Sequence, residues 1–179
     1  TSLVGTIVGV NSLILRTTDG GISWKQIVSP TQNYIGDVHF VSPTIGFACG
    51  SSGTVLKTFD AGLTWEKLNF PYSIPLNTIV MESPTNGFVA GYSSHILRTI
   101  DGGQVWEDVV ISGMPPGSYH FIKSTRSNGS VFFIGNDTSG TKGVLVSSND
   151  GITFTAHEIQ ASQDFYIIRD TIYTISSQG

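Results

Sequence analysis

Apolar residues in this chain fall in short runs, each closed by a cluster of Gly, Pro, Ser, Thr, Asn or Asp. Runs of this length and punctuation predict short β-strands joined by tight turns. The clearest set predicts four strands, A to D. Strand A is Ile35 to Val41, followed by the turn Ser42-Pro43-Thr44-Ile45, and strand B is Gly46-Phe47-Ala48-Cys49-Gly50. Ser51-Ser52-Gly53 turns into strand C, Thr54 to Thr58, and strand D is Thr64 to Leu68. The next set matches it: Thr78 to Met81, Gly87 to Gly91, Ile96 to Thr99, and Val105 to Val109. An earlier set has B (Gly5 to Gly9), C (Leu13 to Thr17) and D (Ser23 to Val28) without an A strand. A later one has A (Tyr119 to Ile122), a longer A–B loop through Arg126 and Asn128, B (Val131 to Gly135), a longer B–C loop from Asn136 to Lys142, and C at Val144-Leu145-Val146. The chain ends on a further A strand, Asp164 to Arg169, and B strand, Thr171 to Ser176.

The pattern is a repeat, and its anchor is an eight-residue box between strands C and D. It reads Thr17-Thr18-Asp19-Gly20-Gly21-Ile22-Ser23-Trp24, then Thr58-Phe59-Asp60-Ala61-Gly62-Leu63-Thr64-Trp65, then Thr99-Ile100-Asp101-Gly102-Gly103-Gln104-Val105-Trp106. A fourth copy reads Ser147-Ser148-Asn149-Asp150-Gly151-Ile152-Thr153-Phe154, with Asn149 at the acidic position. The acidic position recurs after 41 residues, after 41 again, and after 48 (19, 60, 101, 149). Four-stranded antiparallel units at such a period, with a Trp in each, predict an all-β fold, the blades of a β-propeller. The repeats divide a single domain at about 1–30, 31–71, 72–112, 113–160 and a partial 161–179. The last A strand is able to complete the first blade, but Tyr173 to Ser176 would then duplicate the B strand near Gly5. That redundancy favours part of a larger ring over a closed four-blade one, with further blades or subunits completing it.

Each box position has an expected structural task. The Asp (Asp19, Asp60, Asp101) accepts backbone N–H groups of the turn and locks the hairpin. Gly21, Gly62, Gly103 and Gly151 supply positive φ. Thr17, Thr58, Thr99 and Ser147 open the boxes, and Trp24, Trp65, Trp106 and Phe154 are expected in the apolar layer between blades. These residues resemble the Asp-box family, also called the bacterial neuraminidase repeat. The segments GFACGSSGTVLKTFDAGLTW and GFVAGYSSHILRTIDGGQVW look most like propellers related to the photosystem II assembly and stability factor. The resemblance covers essentially the whole chain. It implies a propeller with its boxes on the rim away from the functional face, and it implies no particular chemistry.

Composition narrows the function. Charged residues are 12%, the net charge is −4, and the nine Lys and Arg are scattered, so no basic stripe is present to meet nucleic acid. No apolar run reaches the roughly 18 residues of a membrane span. The lone Cys49 reads as a small buried hydrophobe. A chain that begins at Thr1 without a signal-peptide pattern is expected to have lost a leader or to belong to something longer, and an extracytoplasmic or virion setting is expected.

Asp boxes also occur in sialidases, whose site needs three arginines from different blades with a Tyr–Glu pair and an acid. Here Arg16 and Arg98, with Lys57 between them, occupy one repeat position and read as structural, which leaves only Arg126 and Arg169. No enzyme is expected, no catalytic residue is assigned, and no cofactor is required. His39 and His120 occupy matching A-strand positions, but without Cys or carboxylate company they make no metal site. His95 and His157 are expected to be isolated and exposed. The repeats stop agreeing in the D–A and B–C loops, where Tyr34, Phe70, Tyr72, Tyr92, His95 and Tyr119 form a candidate recognition face. The expected function is a non-enzymatic protein-binding, assembly or structural module. The alternative is glycan recognition by a secreted adhesin or viral appendage.

Overall fold

A computed structural model describes residues 3–168 and 171–176, and it is built from β-strands with one short 3₁₀ turn. The first sheet holds β1 (Gly5–Val8), β2 (Ile14–Thr17) and β3 (Lys25–Gln26), in that order. The second holds β4 (Ile35–Phe40), β5 (Gly46–Gly50), β6 (Thr54–Thr58) and β7 (Glu66–Lys67), with Ser51–Gly53 forming the 3₁₀ turn. The third holds β8 (Leu76–Met81), β9 (Gly87–Gly91), β10 (Ile96–Thr99) and β11 (Glu107–Asp108). In the fourth, β12 (Ile111–Ser112) precedes β13 (Tyr119–Ser127), β14 (Ser130–Asp137), β15 (Lys142–Ser148) and β16 (Phe154–Gln160), ordered β12-β16-β15-β14-β13. Finally β17 (Ser162–Ile168) pairs with β18 (Thr171–Ser176). Sheets whose strands run outward in chain order are the blades of a β-propeller.

By compactness the chain falls into two units, Thr1–Val89 with Arg98–Glu107 and Ala90–Leu97 with Asp108–Gly179. In the first unit, Ile14, Ile27, Ile35, Ala48, Leu56 and Trp65 form a buried cluster, flanked by Val8, Val38 and Phe40. The Phe40 ring meets Trp65 edge-on at 6.0 Å. In the second unit, Phe133 packs between Phe121 at 6.1 Å and Phe154 at 6.3 Å.

The glycines that bracket strand B follow from close packing against strand A. A Cβ on Gly46 would stand 2.7 Å from the Phe40 ring, and one on Gly50 would stand 1.9 Å from the Tyr34 carbonyl oxygen. Neither position has room for a side chain. Strand C carries a second device. Arg16 Nε donates to the Ala61 carbonyl at 2.7 Å, and Lys57 Nζ donates to the Gly102 carbonyl at 2.8 Å. Each cation reaches the residue after the Asp of the next box, so the cation of one blade satisfies the carbonyl of its successor. Lys57 also lies 4.9 Å from the Phe47 ring and 4.8 Å from that of Phe59, and burial pushes its pKa down.

Three differences from the sequence expectation are local. The fourth A–B connection is a two-residue turn, since β13 runs to Ser127 and β14 starts at Ser130. Asn128 (φ 49°) and Gly129 (φ 81°) are both left-handed, as a two-residue hairpin of the I′ type demands. The following B–C loop is likewise short, because Asp137 Oδ1 accepts the Thr141 and Lys142 N–H groups and caps the turn. Ile111 and Ser112, expected in a loop, pair in parallel with Phe154 and Thr155 of β16.

Candidate functional site

The boxes form one repeated hydrogen-bond lock. Thr17 Oγ1 donates to Asp19 Oδ1 at 2.7 Å and accepts the Gly21 N–H at 3.0 Å, while Asp19 Oδ1 accepts the Ser23 N–H at 2.9 Å. Thr58, Asp60, Gly62 and Thr64 repeat this at 2.8, 3.0 and 2.9 Å. Thr99, Asp101, Gly103 and Val105 do so at 2.9, 2.9 and 3.0 Å.

The fourth box corrects the sequence reading. Its acceptor is Asp150: Ser148 Oγ donates to Asp150 Oδ1 at 2.9 Å, and that oxygen takes the Ile152 and Thr153 N–H groups at 2.8 Å each. Ser148 and Asp150 therefore hold the positions given to Ser147 and Asn149, and the loop is one residue shorter than in the other boxes. Gly151 keeps its place, its N–H donating to Ser148 Oγ at 2.9 Å. Ser147 and Asn149 line an open polar groove of about 310 Å³ together with His157. Substituting Asp150 with Ala is expected to lower the melting temperature clearly, and substituting Asn149 with Ala to leave it nearly unchanged. Equal effects in a thermal melt would contradict this assignment.

Donors hold every box carboxyl below the usual range. The largest cause is the Ser23 hydroxyl for Asp19, the Thr64 hydroxyl for Asp60, the Val105 N–H for Asp101, and the Thr153 hydroxyl for Asp150. Asp60 is brought down to about 2. A carboxyl depressed in the folded state contributes stability above its unfolded pKa of roughly 4, and that stability is lost as pH falls through the folded value. Thermal stability is therefore expected to be flat in this respect above about pH 5 and to fall between about 4 and 2. Melting curves across that range check it.

The tryptophans differ. Trp65 and Trp106 are 8% and 6% exposed, but Trp24 is 39% exposed, contrary to the expectation that all lie between blades. Trp65 is covered by Ile14 and Ile27 of the first sheet's repeat, and Trp106 meets Phe70 at 5.9 Å. No described sheet precedes Trp24.

Of the aromatic positions, Tyr34, Phe70 and Tyr72 converge on the Ser51–Gly53 turn in the first unit. Ser51 N–H donates to the Tyr34 carbonyl at 2.9 Å, Gly53 N–H donates to that of Ile74 at 2.8 Å, and Phe70 meets Tyr72 edge-on at 6.3 Å. Tyr34 and Tyr72 are exposed, and Phe70 is half-buried. In the second unit the exposed Tyr92 stacks on His120, with centroids 3.9 Å apart. Tyr119 is buried, with its N–H donating to Ser94 Oγ at 2.9 Å, so its side chain is no surface contact. His95 is not isolated: its Nδ1 lies 2.7 Å from Asp108 Oδ1. His157 is exposed, and Cys49 is fully buried, which raises its thiol pKa.

Arg16 is tied to Ala61, Arg98 Nε is buried, and Arg126 is exposed. Arg169 lies outside the described residues. No group of three or more His, Cys, Asp or Glu able to hold a metal occurs among the described residues. No helix among the described residues is long and apolar enough to cross a membrane.

The boxes, their spacing and the blade order agree with a family model described as photosynthesis system II assembly factor YCF48, which matches residues 23–169. The chain belongs to the YCF48 family. Among curated proteins none matches. Among solved structures, "YCF48 bound to D1 peptide" is similar at TM-score 0.67 and 21% identity, covering 86% of this chain and 50% of that one. YCF48 from Cyanidioschyzon merolae is similar at 0.71 and 18%, covering 96% and 59%. An ancestral GH74 enzyme is similar at 0.68 and 11%, covering 87% and 22%. The chain thus spans between half and three-fifths of the length of the two YCF48 chains. The GH74 likeness is one of fold. Within the YCF48 family frame, what sequence reasoning missed here is the blade-to-blade role of Arg16 and Lys57. Their recurrence at one repeat position was the available signal.

Proposed function

We propose that this chain is a non-enzymatic propeller that binds a protein partner, its contact surface built on exposed aromatic loops. The observation that carries the reading is the exposure, within the first unit, of Tyr34 and Tyr72 on turns pinned by backbone hydrogen bonds; Tyr92 is exposed on an equivalent turn of the second unit. Rigid aromatic side chains give contact area at low entropic cost. Support comes from family membership and from the similar structure of YCF48 bound to D1 peptide. Arg16, set against the Ala61 carbonyl, Arg98, with its buried Nε, and the exposed Arg126 give no support to a glycosidase-type site.

The test is a peptide array and a glycan array probed side by side with the protein and with a variant carrying Tyr34→Ala, Tyr72→Ala and Tyr92→Ala. Reproducible peptide binding, weakened at least tenfold in the folded variant, is expected. Glycan hits without peptide hits would overturn the reading, as would turnover of a fluorogenic glycoside.

A further inference from the structure

The chain contains two Asn-Gly dipeptides, Asn86-Gly87 and Asn128-Gly129, and the structure holds them differently. The dipeptide is chemically reactive. The backbone nitrogen of its second residue can attack the side-chain carbonyl carbon of the first, and glycine puts no Cβ in the way. How often the two groups meet is set by how readily the local structure opens.

Asn86-Gly87 is held from several sides. The Asn86 N–H donates to Ser83 Oγ at 2.9 Å, and the Asn86 carbonyl accepts the Glu82 and Ser83 N–H groups at 2.8 and 3.2 Å. Its side-chain Oδ1 accepts the Thr85 hydroxyl at 3.0 Å, so turning the amide toward Gly87 breaks that bond. Gly87 is buried at the start of β9, where a Cβ would stand 2.3 Å from Met81 Sδ and 2.8 Å from the Val80 carbonyl oxygen. This turn cannot rearrange without disturbing the pairing of β8 with β9.

Asn128-Gly129 is the whole loop of a hairpin. Ser127 and Ser130 close it as the last pair of the β13–β14 ladder. Both tip residues are exposed, and a Cβ on Gly129 would meet nothing within 4 Å. Gly129, at φ 81°, leaves its left-handed conformation at little cost. The ladder from Tyr119 to Ser127 stays paired while the tip rearranges.

We propose that Asn128 is a modification site at which the protein deamidates itself, while the fold spares Asn86. The Gly129 amide nitrogen gives its proton to hydroxide and bonds to Asn128 Cγ. The side-chain nitrogen leaves as ammonia, and a succinimide ring is formed. Water then opens the ring. Breaking the bond from the Gly129 nitrogen to Cγ leaves aspartate, and breaking its bond to the main-chain carbonyl carbon leaves isoaspartate. Nothing is oxidised or reduced. Either product adds one negative charge to a chain whose net charge is −4. Isoaspartate also routes the main chain through Cβ, so the tip loses its I′ geometry and the pairs Ser127–Ser130 and Arg126–Val131 loosen. The site does not depend on the aromatic loops, so either reading can fail alone.

The test is incubation of the intact, folded protein at mildly alkaline pH, followed by peptide mapping in a mass spectrometer and assay of the ammonia released. Asn128 is expected to convert at least about tenfold faster than Asn86, because reaction at Asn86 requires local opening of its turn. In denaturant the two sites are expected to convert at similar rates. Asn128→Gly keeps a residue that favours the I′ turn, so it should melt like the parent and release far less ammonia. Equal rates at the two sites of the folded protein overturn the proposal, as does faster conversion at Asn86. It is also overturned if Asn128 stays intact in the folded protein while the denatured chain reacts. A difference that persists in denaturant would assign the selectivity to neighbouring sequence and not to the fold. Undiminished ammonia release from Asn128→Gly would place the reaction elsewhere, and either result overturns the proposal.

Discussion

Replacing Trp65 with Ala is expected to lower the unfolding free energy by about 3–5 kcal/mol. Trp65 is 8% exposed and shares a buried cluster with Ile14, Ile27, Ile35, Ala48 and Leu56, with Phe40 edge-on at 6.0 Å. Its partners come from two successive repeats, so truncation opens a cavity where neither sheet can collapse alone. Trp65→Phe should cost far less. The indole N–H of Trp65 is buried without an acceptor, so losing it leaves no new orphan, and the fourth box already uses Phe154 at 0% exposure. Trp24→Ala should be milder than Trp65→Ala, because its ring is 39% exposed and its N–H bonds the Gly21 carbonyl at 3.1 Å. Denaturant unfolding of the three variants checks the order. A Trp65→Ala cost under about 1 kcal/mol would contradict the buried packing seen here.

These tryptophans also show where the sequence was legible. A box that recurs with Thr, Asp, Gly and Trp at fixed offsets marks the hairpins, because all its bonds close within five residues. Burial of the Trp depends on the neighbouring sheet, so boxes with the same Thr, Asp, Gly and Trp give 39% and 8% exposure. The Asn149 assignment failed for a related reason. Reading the fourth box as an ungapped eight-residue copy, with Asn149 at the acidic position, hid a one-residue deletion, which only the hydrogen bonds to Asp150 reveal. The Asn128-Gly129 hairpin was legible as a turn dipeptide and was passed over for a longer loop. The parallel pairing of Ile111 with Phe154 joins residues more than 40 apart and has no counterpart in the other repeats, so no period encodes it, whereas the reach of Arg16 to Ala61 recurs with the repeat as Lys57 to Gly102. Of the candidate face, the exposed tyrosines were readable as variable loop residues. The burial of Tyr119 follows instead from its place at the start of β13.

Replacing Gly53 with Ala is expected to cost about 2–4 kcal/mol, and more than positive φ alone accounts for. Gly53 has φ +64°, but the equivalent residues of the neighbouring repeats are Ser12 (φ 56°) and Ser94 (φ 60°), so a side chain at this φ is tolerated in the turn. What excludes it at Gly53 is the following loop. A Cβ would stand 1.9 Å from the Tyr72 carbonyl oxygen and 3.0 Å from the Phe70 ring. A backbone carbonyl cannot rotate away as a side chain can, so the loop carrying Phe70 and Tyr72 must move, loosening the Gly53 N–H bond to Ile74 and the contact of Phe70 with Trp106. Gly140→Ala supplies the control: φ is +70° and nothing lies within 4 Å of its Cβ, so only the conformational cost of about 1 kcal/mol remains. The difference between the two variants in denaturant unfolding isolates the clash. Where the Gly53 variant still folds, weaker peptide binding is expected through the displaced Tyr72. An equal cost for both substitutions would mean that the loop is free to yield, and Tyr72 would then not be held in place for recognition.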